Sequence, residues 1–145
     1  FIGSSDKSGT IENPFSYELR EKLIKKIYGN EIVENKLIIS PLADLGAGNV
    51  TKWGDYLFCE AEKILRKVDC IVYGEESKCK SWFSEKIKKS VNFIVISRDD
   101  IKINASTLRE YMRKNDFESW KKFVNEKNWG EFGKMREILI KIWKN

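Results

Sequence analysis

Cys-Ile-Val-Tyr at residues 70–73, followed by Gly74, and Phe-Ile-Val-Ile at residues 93–96 flank a segment with helical periodicity, residues 77–89. Short uninterrupted apolar runs are typical of strands in a parallel sheet. Parallel strands need a crossover connection of about a dozen residues or more, usually a helix, and residues 77–89 supply one. This stretch predicts an α/β fold built on a parallel sheet.

The same alternation of apolar runs and helical segments extends toward the N-terminus. Leu-Ile-Ile at residues 37–39 ends at Pro41, and helices are predicted over residues 16–28, with Ser16 as the N-cap, and 53–67. We therefore expect a Rossmann-like sheet with helices on both faces and strands near residues 1–3, 37–40, 69–73 and 93–96. Since residue 1 already lies in an apolar segment and is not Met, we expect the sheet to be N-terminally incomplete.

The C-terminal part of the chain has a helical pattern from Ser106 onward, with breaks near Asn115 and at Gly130. We expect residues 1–112 to form a partial α/β domain. Residues 113–145 are expected to form a helical tail that packs on it.

The amino-acid composition excludes several types of catalysis and several classes of partner. The 145 residues include no histidine, which excludes Ser-His-Asp hydrolysis, histidine-ligated metal sites and histidine acid–base catalysis by this chain. The net charge of +5 favours anionic partners, but charges of both signs alternate along the chain, so we expect no nucleic-acid partner. The three cysteines lack C-x-x-C spacing, and no apolar run reaches the ~18–20 residues of a membrane span. We expect a cytoplasmic protein without a membrane partner.

Ligands of open parallel sheets bind in the loops at the carboxyl ends of the strands. The first such loop, residues 3–10, lacks the G-x-x-x-x-G-K-[ST] spacing of a Walker phosphate loop, and the chain has no G-x-G-x-x-G fingerprint. The sequence therefore does not support assignment of this chain to the P-loop NTPases or the Rossmann dehydrogenases. The glycines and serines of these loops also fit ordinary turns.

Residues 103–112 indicate a ligand site more specifically than these loops do. Asn104 and Ser106 fall where a helix is predicted to begin, and they offer capping side chains and free backbone N–H groups to an anion. Arg109 follows about one turn later, so its guanidinium can reach back toward a phosphate bound there. The alternative is an ordinary capped helix with a surface arginine.

Several segments resemble the motifs of one family. Ile-Gly-Ser-Ser at residues 2–5, Asn-Pro-Phe-Ser at residues 13–16 and Arg20 resemble the I-G-S-x-x-S-x-T-x-x-N-P-F-T-x-x-E-R stretch of nicotinamide mononucleotide (NMN) adenylyltransferases, specifically their archaeal-type branch. Asn-Ala-Ser-Thr-Leu-Arg at residues 104–109 is similar to the I-S-x-T-x-x-R signature of the wider H-x-G-H nucleotidylyltransferase superfamily. In order and spacing the resemblance extends to about residue 123.

The chain also departs from the family pattern. Leu19, Glu75 and Asn104 stand where the family has Glu, Asn and Ser. The H-x-G-H motif follows the first strand in the family, upstream of the aligned segments, and a chain with no histidine does not contain it.

The resemblance implies that residues 1–112 are part of a nucleotidylyltransferase-like α/β domain. It also implies two groups of ligand-binding residues. ATP would contact Gly3, Ser4, Gly74, Asn104, Ser106, Thr107 and Arg109, with Arg109 as the catalytic residue. NMN would contact Ser5, Asn13, Arg20, Asn49 and Trp53, with Trp53 stacked on the nicotinamide. Mg²⁺ would bridge the ATP phosphates rather than occupy a protein cage, and no prosthetic group is expected.

The expected activity is transfer of AMP from ATP to NMN, which gives NAD and pyrophosphate, in an intact parent enzyme that supplies H-x-G-H. Two alternatives stay open. One is a noncatalytic module or pseudoenzyme that binds NAD or ATP. The other, on a weaker basis, is an enzyme similar to the cytidylyltransferases or the pantetheine-phosphate adenylyltransferases. Homo-oligomerisation is also left open.

Overall fold

A computed structural model describes residues 1–46, 50–74, 79–96 and 103–144 of the chain. The chain divides into two compact units: Phe1–Asp44 with Ile103–Asn145 form unit 1, and Leu45–Lys102 form unit 2. The described residues combine helices with a small parallel two-stranded sheet, which is consistent with the expected α/β class. The boundary expected between residues 112 and 113 separates a nucleotidylyltransferase-like domain from a helical tail, and it stays a prediction. The compact units follow a different boundary.

The described elements alternate between helices and strands only in the middle of the chain. In chain order they are α1 (Tyr17–Ile27), α2 (Gly29–Val33), α3 (Val50–Leu65), β1 (Cys70–Gly74), a 3₁₀ helix (Cys79–Trp82), α4 (Glu85–Ser90), β2 (Asn92–Ile96), α5 (Ala105–Arg113), α6 (Phe117–Lys121), a second 3₁₀ helix (Glu126–Glu131) and α7 (Phe132–Lys144).

Unit 2 contains the strand–helix–strand stretch. β1 and β2 pair in parallel, with Cys70 opposite Asn92 and Gly74 opposite Ile96, as the sequence predicted. The expected continuous helix over residues 77–89 is wrong for the residues that the structure describes. A 3₁₀ turn and α4 are separated at Ser84, which is extended and whose backbone N–H donates to Asp55 Oδ1 at 2.7 Å instead of to a helical carbonyl.

The core of unit 2 is small. Phe58 of α3 packs with Phe83 and Ile87 around the 3₁₀ turn and α4. The helix approaches the turn closely at Gly54, where an added Cβ would lie 2.5 Å from the carbonyl oxygen of Trp82. Only glycine permits this approach of α3 to the backbone of the turn.

The strands expected near residues 1–3 and 37–40 are reduced to a single parallel bridge between Ile2 and Pro41 in unit 1. Ile2 donates to the Ser40 carbonyl at 3.0 Å and accepts from the Leu42 amide at 3.1 Å. The pairing stops early for local reasons. Ser4 has a positive φ of 49°, which turns the first segment, and the amide of Leu37 donates back to the Glu31 carbonyl.

Unit 1 is mainly helical, and its core joins α1 to the C-terminal helices. Ser16 caps α1 by accepting from the Leu19 amide, as predicted. The buried residues of this core cluster are Leu19, Met112, Trp120, Phe132, Met135 and Leu139. Trp120 is 1% exposed, and its ring lies edge-on to Phe132 with 5.1 Å between centroids.

Of the two interruptions predicted in the C-terminal helical pattern, the structure contains one. Asn115 adopts a positive φ of 59° between α5 and α6, so the first break is confirmed. Gly130 lies inside the second 3₁₀ helix, which leads directly into α7, so the second is wrong. Across the described segments, no helix is both long enough and apolar enough to cross a membrane.

Candidate functional site

The N-terminus of α5 is built as the sequence predicted. Asn104 is extended and its Oδ1 accepts from the Thr107 backbone N–H at 2.8 Å and from the Thr107 hydroxyl at 3.1 Å. Thr107 is therefore already engaged by the cap. Among the described residues, the backbone amides of Ala105 and Ser106 have no hydrogen-bond partner, so they are the donors that this terminus offers to an anion.

Arg109 lies over this same turn. Its Nη2 donates to Ser106 Oγ at 3.2 Å, so the guanidinium reaches back toward the N-terminus of α5. Within the part of the chain that the structure describes, it has no carboxylate partner. Most of its donors therefore remain available to a ligand.

The neighbouring arginine of α5 is committed elsewhere. Arg113 donates to both oxygens of Glu110, at 2.7 and 2.5 Å. These bonds, with a smaller contribution from Lys114, lower the pKa of Glu110 to about 2. Glu110 is thus ionised and occupied, and it does not compete for Arg109.

Arg20 organises the first loop. Its Nη1 and Nη2 donate to the carbonyl oxygens of Gly3 and Ser4 at 2.6 and 2.9 Å, and its Nε donates to the Ser16 carbonyl at 3.4 Å. The sequence predicted Arg20 as a direct ligand of the mononucleotide phosphate. In the structure its first role is to fix the backbone of the predicted Gly3–Ser5 contact loop.

The Ser4 side chain is also held in place. Its hydroxyl donates to Asp44 Oδ2 at 2.9 Å, and Lys7 Nζ lies 2.8 Å from the same oxygen. The hydrogen bond from Lys7, followed by that from Ser4, lowers the pKa of Asp44. Ser5 is half-buried, and its amide donates to the Leu42 carbonyl at 3.1 Å.

A cavity of about 330 Å³ brings three of the predicted residues together in unit 1. Asn13, Arg20 and Arg109 line it, and so does Asn128, which the sequence analysis did not single out. Asn128 is 4% exposed; its Nδ2 donates to the Leu23 carbonyl at 3.1 Å, and its Oδ1 has no partner. Nothing in the local sequence marks this asparagine, because its burial depends on packing between distant helices.

Three predicted residues lie elsewhere: Trp53 and Gly74 are in unit 2, and Asn49 is not among the described residues. Trp53 is half-buried in α3, with its ring 6.5 Å from Trp82 at an interplanar angle of 36°. Both tryptophans and Tyr73 line a second cavity of about 210 Å³. Gly74 ends β1 opposite Ile96.

The described segments contain no group of three or more Cys, Asp or Glu side chains that could hold a metal ion. No model of a known protein family matches the chain, and no curated protein and no solved structure matches it. The resemblance to NMN adenylyltransferases therefore stays a prediction from the sequence.

Proposed function

We propose that this chain carries the nucleotide-binding elements of a cytoplasmic nucleotidylyltransferase that transfers AMP from ATP to NMN, on a Rossmann-like fold. The observation that supports this most directly is the arrangement at α5. Two backbone amides and a guanidinium, for which the described residues provide no hydrogen-bond partner and no carboxylate respectively, lie at one helix N-terminus. This combination suits a phosphate group.

In this reaction the protein forms no covalent bond with either substrate. An oxygen of the NMN phosphate attacks the α-phosphorus of ATP, the new phosphorus–oxygen bond joins the two nucleotides, and pyrophosphate leaves with the electron pair of the broken bond. Negative charge builds on the phosphates as this happens. Arg109 and the amides of Ala105 and Ser106 would bind that charge, which is catalysis by positioning and electrostatic stabilisation.

The metal requirement fits the same scheme. Mg²⁺ keeps several waters and binds mainly through substrate phosphates in such reactions. Asp44, which contacts the predicted loop, is already bonded to Lys7 and Ser4. In this proposal Mg²⁺ would come bound to the ATP phosphates, and the chain's own contribution of positive charge is Arg109.

The mononucleotide contacts implied by the resemblance fall in both units, and each is proposed on its own. Arg20 would hold the Gly3–Ser5 loop in the conformation that contacts the nucleotides, since both of its terminal nitrogens bind that backbone. Trp53 would stack on the nicotinamide, because its ring lines a cavity with other aromatic side chains. Asn49 is proposed as an amide partner of the nicotinamide by resemblance alone.

The absence of histidine favours a second candidate, a module that binds NAD or ATP without turnover. The adenylyltransferase proposal needs the H-x-G-H motif from sequence outside these 145 residues. A binding module needs none.

One experiment separates the two candidates. The gene sequence upstream of the codon for Phe1 is read for a strand followed by H-x-G-H, and the encoded protein is assayed for NAD formation from ATP and NMN. Turnover that depends on Arg109 supports the adenylyltransferase. ATP or NAD binding by calorimetry without turnover supports the module, and no nucleotide binding at millimolar concentration contradicts both.

A further inference from the structure

Unit 1 contains another cavity, whose walls come from α1, α7 and the loop at residues 8–9. Its volume of about 440 Å³ lies within the roughly 300–1,000 Å³ of small-molecule sites. Leu19, which is buried, and the half-buried Ile138 line it together with Pro14. The cavity therefore offers an apolar surface to a ligand.

A carboxylate lies at the α1 wall of this cavity. Glu18 is in the first turn of α1, and the hydroxyl of the capping Ser16 donates a hydrogen bond to it. This hydrogen bond is the largest cause of the lowered pKa of Glu18, which is thus ionised at neutral pH. Within the described segments Glu18 forms no ion pair, and Arg20, the cation that influences it, is bound to backbone carbonyls of the first loop. The carboxylate is therefore held at the cavity without a cationic partner.

An ammonium group lies at the α7 wall. Lys134, in the first turn of α7, lines the cavity and has no carboxylate partner among the residues that the structure describes. Lys22 also lines the cavity, but its Nζ lies 2.8 Å from Glu131 Oε1, so it is already paired. Glu18 and Lys134 thus present opposite charges to one cavity without pairing with each other.

We propose that this cavity binds an α-amino acid with an apolar side chain. Its ammonium group contacts Glu18, its carboxylate contacts Lys134, and its side chain covers Leu19 and Ile138. An apolar α-amino acid carries both charges next to an apolar group, so it complements the cavity as a whole. Because an exposed ion pair contributes little on its own, the three contacts act together. This site goes beyond the proposed function, which gives neither Glu18 nor Lys134 a role. Its test uses no nucleotide, so the failure of NAD synthesis leaves it unaffected.

The test compares three probes at neutral pH on the 145-residue chain by ¹H–¹⁵N NMR titration. L-Leucine carries both charges; 4-methylpentanoate lacks the ammonium group, and 3-methylbutylamine lacks the carboxylate. We expect leucine to bind at least about fivefold more tightly than either analogue, because each analogue leaves one charge-assisted hydrogen bond unmade. The backbone amide resonances of Glu18 and Lys134 should shift with leucine.

Two variants assign the ligand's charges to the two walls. Glu18→Gln should weaken binding of leucine and of the amine but not of 4-methylpentanoate. Lys134→Gln should weaken binding of leucine and of 4-methylpentanoate but not of the amine. Lys141→Gln, on the same helix but outside the cavity lining, and Glu31→Gln in α2 are matched controls that should change no probe. All four side chains are exposed, so these variants should fold.

The proposal is overturned if leucine binds no more tightly than either analogue, or does not bind at millimolar concentration. A variant that weakens the acid and the amine alike also contradicts it, because the two charges would then not be contacted separately. So does leucine binding that is unchanged in both Glu18→Gln and Lys134→Gln, or a set of shifted resonances that lies outside the cavity lining.

Discussion

Unit 1 shows how differently three arginines of one chain can be used. Arg20 donates to three backbone carbonyls, and Arg113 is bound to both oxygens of Glu110. Within the segments that the structure describes, the one partner of Arg109 is the Ser106 hydroxyl, one turn away. An arginine whose donors are satisfied supports structure, whereas one with free donors over a helix N-terminus is placed to receive an anion. The sequence identified Arg109 by its spacing, but it could not show that Arg20 is occupied.

We predict that Arg109→Lys lowers turnover with ATP at least ~tenfold in the enzyme that supplies H-x-G-H, which corresponds to about 1.4 kcal/mol of transition-state stabilisation. Lysine keeps the charge but cannot form the two parallel hydrogen bonds of a guanidinium to phosphate. Steady-state kinetics measure the effect, and calorimetry should show NMN binding nearly unchanged. Arg113→Lys is the control. Normal turnover of Arg109→Lys would remove Arg109 from catalysis.

We predict that Trp53→Ala weakens binding of NAD and NMN more than that of ATP. Loss of a stacked aromatic platform costs roughly 1–3 kcal/mol per base, and ATP would not use the nicotinamide platform. Isothermal titration calorimetry of the three ligands measures the difference, and Trp129→Ala, a partly exposed tryptophan of unit 1, is the control. Equal losses for all ligands, together with lower stability, would instead make Trp53 a packing residue against Trp82 and Tyr56.

A buried carboxylate, that of Glu131, links α1 to the 3₁₀ helix that precedes α7. Glu131 ends the 3₁₀ helix that leads into α7, is 8% exposed, and accepts from Lys22 and Lys26 of α1. Hydrogen bonds from Lys22 and then Lys26 lower the pKa of Glu131 to about 2. Because the folded-state pKa lies below the ordinary value of 4.5, the stabilising effect is complete above about pH 4.5 and is lost as the pH falls toward 2.

We predict that Glu131→Gln lowers the free energy of unfolding by about 1–2 kcal/mol at pH 7, because charge-assisted hydrogen bonds to two lysines are weakened. Urea unfolding followed by circular dichroism measures this. The difference from the unmodified chain should disappear near pH 2. Glu118→Gln, which removes one exposed pair with Lys121, should change the stability by less than about 0.5 kcal/mol. A destabilisation of Glu131→Gln that is constant from pH 7 to pH 2 would contradict the assigned pKa.

We predict opposite effects for two glycine-to-alanine changes in helices. Gly54→Ala places a Cβ 2.5 Å from the Trp82 carbonyl oxygen and 2.7 Å from Phe83 Cδ1, so the packing of α3 on the turn must shift, at a cost of about 1–3 kcal/mol. Gly133→Ala in α7 meets nothing within 4 Å and should gain up to about 1 kcal/mol of helix propensity. Thermal unfolding of both variants measures the contrast. Equal effects would mean that the approach at Gly54 is not tight.

Across the whole molecule, the sequence was reliable where the deciding interactions are local. Ser16 and Asn104 cap α1 and α5 as expected, since a capping side chain bonds an amide three residues away. The strand predicted near residues 37–40 does not form, because an apolar run does not determine which backbone groups pair. The Leu37 amide donates to the Glu31 carbonyl, and Pro41 has no N–H to donate. Asn128 could not be found at all, because its burial and its free Oδ1 arise from helices far apart in the chain.

The two units should differ in stability, since local opening free energies follow buried apolar contacts. Counted over the described residues, unit 1 buries a cluster of six that includes Trp120 and Leu139, each 1% exposed, whereas the cluster of unit 2 has three. The two-stranded sheet of unit 2 also leaves Val72 and Ile94 more than half exposed, and a pair of strands is marginal without broad packing. We predict that native-state hydrogen exchange gives lower opening free energies for the amides of β1 and β2 than for those of α5 and α7. Low urea should open the strands before the helices. Exchange of both sets through one common opening would show instead that the units unfold as a single cooperative body.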